Sequence, residues 1–312
     1  GMQWNDDRKK YSVGQHQLLP QTLRAAGYVT GHIGKWNIPV DVKECFDEVY
    51  DLIDWEADYF PDQDGHYHGV DNPDQIGSSK VQGVWGPARP GEEYLTDRLG
   101  RHAVEFVEKH KTQPFFLYLA FNAVHSPWHA KTADRQRFAN LKPPPLDYYA
   151  AMIASMDENI GKVLAQLKAA GLEQNTLVAF TADNGPAMGS PRIVVWPDGW
   201  PDEILVGSAG PLSGHKGQFL EGGIREPFLL RWPARLAAGQ VYRQPVSTMD
   251  LYATFCAAAG APVPAGTQLD GVNLLPHLAG ENQGPPHEIL FWKNGDDGAV
   301  RQDDWKLLIS RW

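Results

Sequence analysis

Cysteine is nearly missing from this chain. Cys45 and Cys256 are the only two in 312 residues, too few for a disulfide framework. No apolar run approaches the 18 or so residues of a membrane-spanning helix. Positive charge is also in deficit. With 28 Lys and Arg against 38 Asp and Glu, the formal net charge of −10 argues against a nucleic-acid binder, which needs a basic face. It leaves room for an anionic small molecule, because a few local cations dominate one pocket. Internal repeats and low-complexity tracts are absent. The opening residues GMQWNDDRKK are not a signal peptide.

What is present alternates between helix and strand signals. Leu18 to Ala26 reads as a short helix closed by Gly27, and Tyr28 to Ile33 as a buried strand running into the Gly34-Lys35-Trp36 turn. Thr96 caps an expected helix over Asp97 to Lys109. Pro114 to Phe121 is a continuous apolar run, the pattern of a central strand covered on both faces. A long helix follows over Asp147 to Ala170, then strands at Thr176 to Thr181 and Pro227 to Arg231, then a helix near Ser247 to Ala259. This alternation predicts an α/β fold, a doubly wound sheet flanked by helices. After about residue 285 the character changes. Glu288 to Trp292, Gly298 to Arg301 and Trp305 to Ile309 read as short antiparallel strands, so residues 1–284 form the expected main domain and 285–312 the start of a small second unit.

Doubly wound sheets gather function at the C-terminal ends of their strands. Lys35, His125, the Asp183-Asn184 pair and Lys216 fall at such places. Asp183-Asn184-Gly185 offers oxygen ligands suited to a hard divalent cation, and is also ordinary turn chemistry. Lys35 follows a strand and a glycine, where an ammonium meets an anion. His125 leaves a strand at the same edge, where an imidazole donates a hydrogen bond or a proton. Lys216 lies among glycines that let backbone pass close to a ligand. Asp62, Asp64, His66 and His68 have metal-like spacing in an irregular acidic stretch, Asp54 to Gly91, and read more simply as solvated surface. Trp55, Tyr59, Tyr67 and Trp85 in that stretch are candidates to stack on a sugar or to cover the core.

In combination these segments resemble the sulfatases, the sulfate-ester hydrolases related to alkaline phosphatase. Gly27 to Trp36 is similar to the family's strand ending in Gly-Lys-Trp-His, and Phe116 to Pro127 to the strand that delivers its His-x-Pro. Phe180 to Gly185 matches its metal-binding Asp-Asn-Gly. Gly214 to Pro227 is similar to its Gly-x-Lys-Gly…Glu-Gly-Gly-x-Arg-x-Pro, the most specific of the set. Thr248 to Leu251 and Leu269 to Val272 fit as well. The resemblance implies an alkaline phosphatase-like sheet and hydrolysis of sulfate monoesters carried by small molecules or carbohydrates. Lys35 and Lys216 would neutralise the sulfate oxygens, and His125 would assist the departing oxygen. Asp183 and Asn184 would supply part of a calcium site, and Asn37 and His215 would contact substrate. Glu221, Gly222 and Arg225 are expected to pack and turn the chain. A periplasmic or secreted location also follows from the resemblance alone.

The departures are equally specific. The family's nucleophile is a formylglycine made from the first residue of Cys/Ser-x-Pro-x-Arg, and nothing upstream of Lys35 fits it; Cys45 is followed by Phe46-Asp47. The family's Asp-Asp pair ending its first strand is also missing, and Asp6-Asp7 is a poor substitute. Its histidine two residues after the lysine is Asn37 here, and an amide does not shuttle protons near neutral pH. The simplest expectation is a chain trimmed at both ends, impaired as a hydrolase, with a gap or an open edge in its sheet that it either self-associates through or covers by a local rearrangement. Two other readings stand beside it: a non-catalytic module binding sulfated or phosphorylated ligands, and a phosphodiesterase or phosphatase of the same superfamily.

Overall fold

The computed structural model describes residues 17–38, 40–53, 57–61, 67, 70, 93–189 and 200–309. Helix α1 (Leu19–Ala25) opens where the Gln21 side chain accepts a hydrogen bond from the Leu18 N–H, 2.9 Å away. Strand β1 (Val29–Lys35) follows, then a single-turn helix α2 (Val42–Cys45) capped by the Asp41 carboxylate, then β2 (Glu48–Ile53). Helix α3 (Leu95–His110) leads into β3 (Phe115–Ala120); α4 (Thr132–Arg137) and the long α5 (Leu146–Ala169) lead into β4 (Val178–Thr181). Next come β5 (Ala187–Gly189), β6 (Ile204–Val206), α6 (Glu221–Ile224) and β7 (Phe228–Arg231). Helices α7 (Asp250–Ala259) and α8 (Leu275–Leu278) precede β8 (Ile289–Asn294), β9 (Asp297–Gln302) and β10 (Trp305–Ile309).

Strand β1 runs parallel between β2 and β3, as the βαβ connections require. Alternate residues of β3 meet different helices. Phe115 packs edge-on against Phe106 of α3, while Phe116 packs against Phe255 of α7. Helices α3 and α5 therefore cover one face of the sheet, and α1 and α7 the other. The largest core cluster lies on the α3–α5 side, around Ile33, Ile53, Leu95, Leu99, Ala151 and Met152. It extends into the loop after β3, where Tyr59 donates a hydrogen bond to the His125 carbonyl and Tyr94 one to the His129 carbonyl. The core thereby fixes the backbone that carries His125.

Two expectations need correction. The helix α3 begins at Leu95 rather than after Thr96, because burial of Tyr94 and Leu95 draws its start earlier; Thr96 is buried inside the first turn. Strand β3 has a central strand's sequence but is paired only to β1 among the described residues, and its Tyr118 is 44% exposed. Among the described residues strand β4 pairs only with β7. No described strand joins β3 to β4, and residues of both border one large open cavity.

The last three strands form an antiparallel sheet turned by Asn294-Gly295, with Gly295 at φ 58°. Arg301 of β9 and Lys306 of β10 both bond the Glu221 carboxylate, at 3.2 and 2.8 Å, which ties this sheet to α6. Asp250, fully buried, accepts hydrogen bonds from the Ser247 and Val272 N–H groups and meets His287 Nε2 at 2.8 Å. The Thr248 to Leu251 and Leu269 to Val272 segments thus meet through one carboxylate. No described helix is long and apolar enough to cross a membrane.

Candidate anion-binding site

Four segments border the cavity at one end, called its upper end, two of them directly from the C-terminal ends of β1 and β4. Lys35 is the last residue of β1, and Asn37 follows two residues on. His125 lies in the loop after β3, Asp183 and Asn184 in the turn after β4, and His215 and Lys216 in the loop before α6. All seven line the one cavity.

His125 reports on its neighbours. Burial, then the Lys35 ammonium, push its imidazole down from 6.5 to about 4; Lys216 pushes the same way, while the Ser126 carbonyl and Asp183 pull it back up. Groups on four separate segments act on this one ring. Its Nδ1 lies 2.9 Å from the Ser126 carbonyl, which only accepts, so Nδ1 carries the proton of the neutral ring and Nε2 the lone pair. Two ammonium groups beside a neutral imidazole form a cationic pocket in an otherwise acidic protein. That arrangement suits an oxyanion.

The turn and the lysine loop interlock through backbone. The Lys216 N–H donates to the Pro186 carbonyl at 2.8 Å and the Gly185 N–H to the Gly223 carbonyl at 3.2 Å. Contact is close enough to need glycine. A Cβ on Gly185 would stand 1.8 Å from the Gly222 carbonyl oxygen, and one on Gly222 would stand 2.4 Å from that of Gly214. Gly185→Ala should therefore push Asp183 and Lys216 apart. The expected cost is about 1–3 kcal/mol of stability in a denaturant melt, together with weaker anion binding. The packing roles expected of Glu221 and Gly222 agree with these contacts.

The cation question turns on donors. Asp183 and Asn184 offer hard oxygens, and Asn184 spends its Nδ2 on the Gly185 carbonyl at 2.9 Å, which leaves Oδ1 to face a cation. Calcium takes about six to eight oxygens, however, and among the described residues no group of three His, Cys, Asp or Glu side chains gathers to hold a metal. The donors suit calcium in kind and fall short in number. Reading the sequence missed one neighbour. In the β4–β7 pairing Thr181 lies opposite Phe228, so the same antiparallel register carried two residues further sets Asp183 opposite Glu226. Burial and Asp183 raise the Glu226 carboxyl to about 7, and its Oε1 is buried with no hydrogen-bond partner. The pairing of two strands so far apart in the chain leaves no local sequence signal that would have found it.

Neither cysteine reaches the cavity. Cys45 is fully buried beside Val42 and Phe46, with its thiol pushed up by burial and by Glu44, and Cys256 is buried near Leu23. Tyr59 is fully buried and Tyr67 donates to the Glu93 carbonyl, so the one is unable to stack on a sugar and the other holds the loop before α3. Trp55, Trp85, Asp62, Asp64, His66, His68 and the Asp6-Asp7 pair lie outside the described residues.

A sulfatase family model matches residues 5–261. The uncharacterised sulfatase YdeN of Escherichia coli (strain K12) is 31% identical over 295 residues, covering 88% of this chain and 49% of that protein. The N-acetylgalactosamine-6-sulfatase of Homo sapiens is 33% identical over 284 residues, 84% of this chain and 48% of that protein. The crystal structure of Ps i-CgsB in complex with k-i-k-neocarrahexaose superposes at a TM-score of 0.73 with 32% identity, covering 100% of this chain and 68% of that one. The chain spans about half the length of the curated relatives it matches. These matches show that the chain belongs to the sulfatase family and has its alkaline phosphatase-like fold.

Proposed function

We propose that the cavity's upper end binds the sulfate group of a small-molecule or carbohydrate sulfate monoester, as the oxyanion site of a sulfuric ester hydrolase. The observation that carries this is that Lys35, His125, Asp183 and Lys216, from four separate segments, border one cavity, with both lysines and Asp183 within electrostatic reach of the His125 ring. Lys35 and Lys216 neutralise the sulfate oxygens, whose charge shifts toward the ester oxygen as the S–O bond breaks. An anion between the two ammonium groups also cancels their push on His125. Burial, the larger cause, still holds the ring down, so protonation on Nε2 becomes easier without being complete, and the protonated ring is the donor to the sulfate or to the departing oxygen. Asn37 and His215 border the same space, where the amide hydrogen-bonds without exchanging protons. Asp183 and Asn184 are this chain's contribution to a calcium site, where the bound cation would supply positive charge to orient the sulfate.

The site as described has a binding half without a nucleophile, since both cysteines are buried elsewhere. The second reading, an anion-binding module, is favoured by that placement for the 312-residue chain itself. A paired assay separates the two. Calorimetry with sulfate is expected to show saturable binding, and an aryl sulfate such as 4-nitrophenyl sulfate to show no turnover above buffer with calcium present. Turnover defeats the module reading, and absence of sulfate binding defeats both.

A further inference from the structure

We propose that the small antiparallel sheet positions Lys216 for the anion: Arg301 and Lys306 grip Glu221, and Glu221 holds the loop that presents Lys216. This rests on the anion reading of Lys216. Residues 213–223 fold back on themselves as one body. The Gly222 N–H donates to the Ser213 carbonyl at 2.7 Å and the Gln218 N–H to the His215 carbonyl at 3.0 Å, while Gln218 Oε1 accepts from the His215 N–H at 3.2 Å. Backbone closes tightly on backbone. A Cβ on Gly223 would stand 2.2 Å from the Gln218 carbonyl oxygen and 2.5 Å from that of His215. Lys216 sits at the bend of this body, and Glu221 at its other end as the first residue of α6. Packing this close transmits a displacement of Glu221 to Lys216.

The body is held on two sides. On one, the Lys216 N–H and the Gly223 carbonyl bond the turn after β4, at Pro186 and Gly185. On the other, Lys306 Nζ lies 2.8 Å from Glu221 Oε1, and Arg301 Nη1 lies 3.2 Å from Oε2. Arg225 approaches Oε2 as well, at 3.7 Å, but it belongs to the same segment and is 66% exposed, so it ties no second element. The side chains of Lys306 and Arg301 are 13% and 22% exposed, and pairs so placed are screened less than surface ones. Each cation is itself anchored. Lys306 Nζ stands over the Trp292 ring, 5.2 Å from its centroid, and Arg301 Nε donates to the Asp303 carbonyl at 3.1 Å. None of Glu221, Arg301 and Lys306 borders the cavity, so they act through Lys216 and are positioning residues. The sign of the effect separates position from field. By its charge alone Glu221 repels an anion nearby, whereas as a clamp it favours binding.

The test is Glu221→Gln in the whole 312-residue chain, which keeps the size of the side chain and removes its charge. Calorimetric titration should show sulfate bound about 3- to 10-fold more weakly, up to the share of Lys216 itself. Field alone predicts tighter binding. A second variant, Glu221→Gln with Lys306→Met, loses one charge of each sign and leaves less charge unpaired, which protects the fold. It should bind about as weakly as Glu221→Gln alone, because the two residues act as one clamp, and Lys306→Arg should bind as the parent does. The His125 midpoint, read by NMR without sulfate, should rise in Glu221→Gln as the Lys216 ammonium draws away from the ring. A merely weakened fold lowers the Tm and leaves that midpoint where it was. Two results overturn the proposal: sulfate affinity in Glu221→Gln equal to or above the parent's, or a His125 midpoint there that stays or falls. The midpoint decides even where the parent binds no sulfate, a result that would remove the sulfate reading alone.

Discussion

Replacing either Lys35 or Lys216 by methionine is expected to weaken sulfate binding by about 10- to 100-fold, and replacing both to abolish it. A charged hydrogen bond to an oxyanion contributes about 1.5–3 kcal/mol, and each 1.4 kcal/mol is tenfold in affinity. Methionine keeps the length and apolar stem of lysine, so the change removes charge with little repacking. Lys216 is the more exposed of the two, and its substitution falls toward the lower end of the range. Both effects shrink in high salt, the exposed residue's first. Calorimetric titration of sulfate into parent and variants at two ionic strengths checks all of this. Equal affinity for the parent and the double variant would place sulfate elsewhere.

Acid is expected to unfold the chain between pH 6.5 and 4, with the loss slowed by sulfate. Three histidines, His32, His125 and His129, are each pushed from 6.5 down to about 4, in every case chiefly by burial. His32 is enclosed by Trp36, Phe46 and Tyr118, with Nε2 at 3.2 Å from the Lys35 carbonyl. His129 sits against Tyr59 and Phe60, and Asp58 Oδ1 at 3.9 Å is beyond hydrogen-bonding distance. Between the two pKa values the unfolded chain binds protons that the folded chain does not, so stability is full above 6.5 and falls as the pH drops toward 4. Each site contributes about 3 kcal/mol at most, and three together approach the whole stability of an ordinary domain. Sulfate raises the folded pKa of His125 alone, so it should restore part of the loss, whereas His32 and His129 keep theirs. Denaturant melts across this pH range, with and without sulfate, measure both. Stability unchanged down to pH 4.5 would mean that these rings are solvated.

The regular elements were legible where apolar period and turn residues agreed, as in α1, α5 and β1. Strand β2 was not, because Glu48 and Asp51 interrupt its apolar pattern. Those carboxylates are answered from α3, Glu48 by Lys109 and His110 and Asp51 by Arg98 and His102. Long-range partners of that kind leave no trace in local sequence. Lys35, His125, Asp183-Asn184 and Lys216 were read from the motifs around them; Lys35 ends β1, Asp183-Asn184 follow β4, and His125 and Lys216 lie in loops, all bordering one cavity. Glu226 was passed over because its role depends on the register between β4 and β7, which are separated by 46 residues or more of chain. The apolar run of β3 announces burial on both faces, yet its residues are only half-buried and Tyr118 is exposed. What the run does not disclose is how many neighbours the strand has.

The convergence of Lys35, His125, Asp183 and Lys216 on one oxyanion is tested most directly by titrating His125 itself, by NMR of ring-labelled histidine with assignment from His125→Gln. The account predicts a midpoint near 4 in the free chain, raised when Lys35→Met or Lys216→Met removes a neighbouring charge, and raised again in the parent by saturating sulfate. A midpoint near 6.5 that ignores both lysines and sulfate would contradict it.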